Sequence, residues 1–269
     1  MTLFEALPTL FTAANLFMGY LAILKSVEGA LWAQGGNFGQ NRHFEFAAVV
    51  IGVSVFFDGL DGRIARLTNT TSEFGQELDS LADVISFRIA PAVLAFVWGY
   101  QFLSPSTPPE IRKYTMQAGY FVLFMFVCAG AMRLARFNIS VNPAPSNPGR
   151  KDRKYFVGTP IPAAAGMVAA VIYFLDGVPL REWPWMAAWT ALLALLSYLM
   201  VSTWRYRSFK DFSLVSPRSP RSLIVLAALL YMIWNFSKPL LLAMSVFYIG
   251  SGIVVRIAGL VRRMGSHAE

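Results

Sequence analysis

Apolar positions along this chain gather into long runs separated by short polar intervals, and the runs are too long to be strands. Most reach or approach the roughly 20 residues that a helix needs to cross a bilayer. The pattern predicts eight spans, at about 9–26, 46–66, 77–103, 115–137, 160–176, 184–203, 221–236 and 239–260. Pro160, after Thr159, and Pro184 suit first helical turns, where the missing N–H had no partner to lose. Pro91 lies inside the third run and predicts a kink there. Ser237 and Lys238 with their neighbours are all that separates the last two runs, which predicts a tight antiparallel pair. The fold class is therefore all-α, a polytopic transmembrane helical bundle. It forms a single domain over 1–269, with a main body of about 1–210 followed by a helix pair at about 221–260.

Composition agrees. A chain of 269 residues with 56% hydrophobic and 14% charged side chains is too apolar for a soluble globule of that length. Its net charge of +8 fits basic loops facing anionic lipid head groups, not nucleic acid. With the N-terminus in the cytoplasm, 16 basic residues fall on the cytoplasmic side and 6 on the other, and Arg88 lies within the third run. That asymmetry predicts both termini inside, in the cell inner (cytoplasmic) membrane. The N-terminus has no basic stretch ahead of the first apolar run, so no cleavable leader is expected. Cys128, the sole cysteine, excludes an intrachain disulfide and reads as a small packing residue. Trp32, Trp98, Trp183, Trp185 and Trp204 fall near run ends and read as interface anchors.

One stretch breaks the apolar pattern. It runs Asp58-x-x-Asp61-Gly62-x-x-Ala65-Arg66, then eight residues, then Gly75-x-x-x-Asp79-x-x-x-Asp83. At about 100° per residue, Asp58, Asp61, Gly62, Ala65 and Arg66 share an arc of roughly 140° on one helix. Gly75, Asp79 and Asp83 share an arc of roughly 80° on the next. Carboxylates near a hydrocarbon core cost a few kcal/mol each, so two phased acid rows need a purpose. Four carboxylates in one pocket stay ionised only with cations, and two divalent ions would neutralise them formally. His43 and His267 are too few and too distant for a histidine site. The ions are therefore expected to be hard, Mg²⁺ or Mn²⁺. Paired ions of that kind can grip a pyrophosphate and stabilise charge on both attacking and leaving oxygens. Gly62, Ala65 and Gly75 leave room for a flat base and ribose against helix backbone, and Arg66 can meet a phosphate oxygen. Both rows lie at the cytoplasmic margin of their spans, within reach of a water-soluble nucleotide.

These residues resemble the signature of the CDP-alcohol phosphotransferase family, and every fixed position of that signature is met. The resemblance implies a six-helix core, a two-metal site, and transfer of a phosphatidyl-type group from a CDP-linked lipid to an alcohol with release of CMP. It implies that Asp58, Asp61, Asp79 and Asp83 hold the ions, with Asp83 also the general base. Gly62, Ala65, Arg66 and Gly75 would then line the nucleotide. Further stretches are similar to the serine-accepting branch of the family: Leu10–Gly19, Glu77–Asp83, Arg133–Asn138, Tyr155–Ala165 and Ser208–Lys210. For that branch the substrates are CDP-diacylglycerol and L-serine, and a homodimer in the lipid bilayer is implied. Arg88 departs from the small residue expected after Ser86 and Phe87.

Three flanking residues carry two readings each. Arg133 and Arg136, three apart on one helical face, either hold a serine carboxylate or lipid phosphate or simply flank the membrane. Asn15 in the first span either meets the nucleotide or bonds a neighbouring helix. Two rival functions stand beside serine transfer. One is the same chemistry with a glycerol phosphate or inositol-type acceptor, which Arg133, Arg136 and Arg153 would suit. The other is an ion-coupled transporter, although transporter acids usually sit near the midplane on broken helices.

Overall fold

The computed structural model describes residues 3–68, 73–141, 155–207 and 235–254, together with 256. Within them the chain is a polytopic helical bundle. Helix α1 spans Leu3–Gln34 and α2 spans Arg42–Thr68. Helix α3, Glu73–Val84, runs through a π-helical turn at Ile85–Ile89 into α4, Ala90–Tyr100, as one membrane-length element. Helix α5 covers Pro109–Val141, α6 Ile161–Phe174, α7 Trp183–Val201 and α8 Asn235–Val254. Five of these elements are long and apolar enough to cross a membrane, and α6 is a shorter apolar helix.

Some expectations are corrected. Pro160 is the residue before α6, and Pro162 occupies the first turn instead. Pro184 sits in the first turn of α7 as expected. Ser237 and Lys238 lie inside the first turn of α8, not between two helices, while most of the predicted run at 221–236 lies outside the described residues. Trp98 is not an interface anchor: it is fully buried, edge-on to Trp189 with ring centroids 5.0 Å apart. Trp32, Trp183 and Trp185 are exposed, as anchors should be. Two three-residue strands, β1 (Tyr155–Val157) and β2 (Arg205–Arg207), pair antiparallel with Phe156 opposite Tyr206. Neither was predicted.

Helix starts and crossings follow from identifiable residues. Asn41 caps α2, its Oδ1 accepting from the His43 and Phe44 backbone N–H groups, while its Nδ2 donates to the Gly29 carbonyl of α1. Pro91 supplies no N–H to the turn before it, and the chain widens there: the Ala90 N–H reaches the Ile85 carbonyl, five residues back. This wide turn directs three consecutive residues, Ser86, Phe87 and Arg88, into the interior. Gly19 lets α1 approach it, since a β-carbon at Gly19 would stand 2.5 Å from Ser86 Oγ and 2.8 Å from its Cα. Close backbone approach at small residues is how helices associate where lipid is as apolar as the side chains.

Candidate active site

The two acid rows meet where α2 and α3 face each other. Oxygens of Asp58, Asp79 and Asp83 lie within 4.8 Å of one another, and all three residues are half-buried. The Asp58 and Asp83 carboxyls, on facing helices, are direct electrostatic neighbours at that range. Two carboxyls that close must share a proton or a cation, because like charges at that range repel. Asp79 and Asp83 are adjacent because they are four apart on one helix, the spacing that stacks side chains. Gly75 is half-buried in the first turn of α3. Asp61, Gly62, Ala65 and Arg66 continue α2 beyond Asp58, and their side chains lie outside what the structure describes.

Asn15 ties the two acid-bearing elements together. Its Oδ1 accepts from Ser54 Oγ at 2.7 Å, one turn before Asp58 on α2. Its backbone carbonyl accepts from Ser86 Oγ at 2.8 Å, just beyond Asp83. Asn15 is fully buried, and the interhelical reading of this residue is the one these bonds express. Helix α5 reaches the site through Asn138, whose Nδ2 donates to Ser80 Oγ at 3.3 Å, beside Asp79. Asn138 was not singled out from sequence, although it closes the Arg133–Asn138 stretch.

Arg133 and Arg136 part company. Arg136 is exposed, whereas Arg133 is half-buried and turned toward Gly158, whose left-handed φ of +75° suits glycine. A β-carbon at Gly158 would stand 2.6 Å from Arg133 Nη1. Tyr206 from β2 and Tyr248 from α8 share this electrostatic neighbourhood. Burial pushes the Tyr206 phenol up, against the opposing influence of Thr159 and Arg133, so it is a neutral neighbour. Arg88 is also inside: it is 0% exposed, and Nε, Nη1 and Nη2 have no hydrogen-bond partner among the described residues.

The model of the CDP-alcohol phosphatidyltransferase family matches residues 5–199. The chain belongs to that family. As a CDP-alcohol phosphatidyltransferase family member it shares in a class that is generally divalent-metal dependent, and the acid cluster is where such dependence would reside. It is 38% identical over 204 residues to the CDP-diacylglycerol–serine O-phosphatidyltransferase of Helicobacter pylori, covering 76% of this chain and 72% of that protein. It is 37% identical over 162 residues to the protein of the same name from Saccharomyces cerevisiae, covering 60% and 51%. It is 34% identical over 178 residues to the archaetidylserine synthase of Methanothermobacter thermautotrophicus, covering 65% and 60%. The family match ends within α7, so α8 lies beyond it.

Proposed function

We infer that this chain transfers the phosphatidyl group of CDP-diacylglycerol to L-serine, giving phosphatidylserine and CMP. The observation that carries the reading is the convergence of Asp58, Asp79 and Asp83 within 4.8 Å in a chain of this family. The relatives' names support serine in particular, since they share serine while their lipid parts differ. A donor set of carboxylates alone fits a hard divalent cation, Mg²⁺ or Mn²⁺. In this reading Asp58, Asp61, Asp79 and Asp83 hold two such ions. When bound, they would hold the pyrophosphate and offset charge on the departing CMP.

The remaining work falls to the chain's own residues. Gly62, Ala65 and Gly75 lie against the nucleotide, and Arg66 meets a phosphate oxygen. Asp83 takes the proton of the serine hydroxyl. That oxygen bonds to the phosphorus carrying diacylglycerol, and the bond from this phosphorus to the CMP oxygen breaks. Arg133 and Arg136 flank the acceptor side, where Arg133 receives a serine carboxylate or a lipid phosphate. The enzyme is a homodimer of the inner (cytoplasmic) membrane. Its termini and acid cluster face the cytoplasm, and a six-helix core lies within about 1–210.

CMP release by the purified chain tests this. With CDP-diacylglycerol and Mg²⁺ or Mn²⁺, L-serine should support turnover and glycerol phosphate and inositol should not. Turnover should stop on exhaustive chelation. Faster release with another acceptor reassigns the acceptor, and release that survives chelation removes the two-metal reading.

A further inference from the structure

Arg88 is the buried group that the proposed mechanism leaves unused. Its guanidinium stays charged in any protein environment. It is 0% exposed, and none of its three nitrogens is hydrogen-bonded among the described residues. A buried, unpaired cation costs several kcal/mol unless an opposing field stabilises it. Two features seat it. The π-helical turn points Ser86, Phe87 and Arg88 inward together, where a regular helix would turn one of the three outward. Gly130 on α5 makes the floor, since a β-carbon there would stand 2.9 Å from Arg88 Cγ, Cδ and Nε. The opposing field comes from Asp83, five residues back on the same continuous element and so about one widened turn away, with which Arg88 interacts electrostatically without closing an ion pair. The guanidinium is sealed from water, so it acts on the acid cluster through space, where a partly buried path screens little.

We propose that Arg88 is a fixed positive charge built into the acid cluster, loosening divalent-cation binding there and favouring an anionic ligand. The inference rests on the metal reading above. Four carboxylates and two divalent ions would cancel formally, and Arg88 adds one positive charge to that balance beside the one Arg66 brings to the phosphate. That surplus attracts a nucleotide pyrophosphate. The same charge repels each incoming cation, so metal affinity is lower than the acid count alone would give. Arg88 is a positioning charge, not a ligand.

Mn²⁺ titration of the full-length chain in detergent, followed by the EPR signal of free ion and without substrate, reads this directly. R88Q keeps a polar end on a shorter side chain and loses the charge. It should bind Mn²⁺ roughly tenfold tighter, the scale of one unit charge acting on a divalent ion through a partly buried path. R88M should move the same way, and R88K should stay near the wild type. CDP affinity in the loaded protein should fall in R88Q and R88M but hold in R88K. Equal Mn²⁺ affinity in R88Q and R88K, or divergence between R88Q and R88M, overturns the proposal. A wild-type chain that binds no Mn²⁺ removes the metal reading itself, and this inference with it.

Discussion

Asp83 is the last acid of its row and the furthest from Gly75, one residue short of the helix end where the π-helical turn begins. That position sets it deepest along α3, where the proposed mechanism has an acceptor hydroxyl meet a lipid phosphate while the nucleotide stays toward Gly75. Asp83→Asn preserves size and removes the proposed base. It should lower turnover by about 10²-fold or more, as loss of a general base does, while CDP-diacylglycerol still binds. Asp58→Asn should weaken nucleotide binding as well, because Asp58 precedes Gly62 and Ala65 on the same helical face. Rate and substrate-binding measurements on the two variants separate these expectations, and near-wild-type turnover by Asp83→Asn would refute the general-base assignment. The meeting of Asp58 with Asp79 and Asp83 was legible in sequence because helical period alone puts each row on one face. Arg88 was legible only as a misfit. What makes room for it is Gly130, on another helix, and no local pattern links the two.

At the level of elements, the α1 contact with the π-helical turn fixes the site's geometry. Asn15 and Gly19 are four apart on α1, so one face both bonds Ser86 and clears space for it. Gly19→Ala drives a β-carbon into Ser86 backbone, and overpacking of that kind costs about 1–3 kcal/mol. Gly52, exposed on α2, has nothing within 4 Å of its would-be β-carbon, so Gly52→Ala gains helix propensity, about 0.5–1 kcal/mol. The two variants should therefore shift thermal stability in detergent in opposite directions, and only Gly19→Ala should lose activity. A shared direction would mean that the α1 contact does not hold the site. Pro91 announced a local departure from the α-helix, but not its kind. A kink and a widened turn both answer a missing N–H, and the packing of Ser86 against α1 and of Arg88 against α5 selects the widened turn. Strands β1 and β2 escaped notice because three residues are too few to show a period of two.

Across the whole molecule, the connections sort to two ends. At one end the Asn41 N–H donates to the Asp176 carbonyl, the Ser104 N–H to the Arg181 carbonyl, and the Leu180 N–H to the Trp98 carbonyl. Lys238 pairs there with both Glu45 and Asp176, fastening α8 to α2 and to the end of α6. Arg42, Arg112, Arg181 and Lys238, four of the six basic residues on the sparse side of the charge count, all belong to this end. At the other end stand the Asn138–Ser80 contact, the β1–β2 ribbon and the acid cluster. Packing thus groups the charges by end, and the 16-to-6 asymmetry then predicts which end faces the cytoplasm. Because Cys128 is the sole cysteine, a C128S background permits single-site labelling in membrane vesicles of known orientation. P108C, in the loop between α4 and α5, should react only from outside, and R150C only from the cytoplasmic face. The reverse pattern would place the acid cluster away from the cytoplasm, where it would meet no CDP-linked lipid presented from the cytoplasmic leaflet.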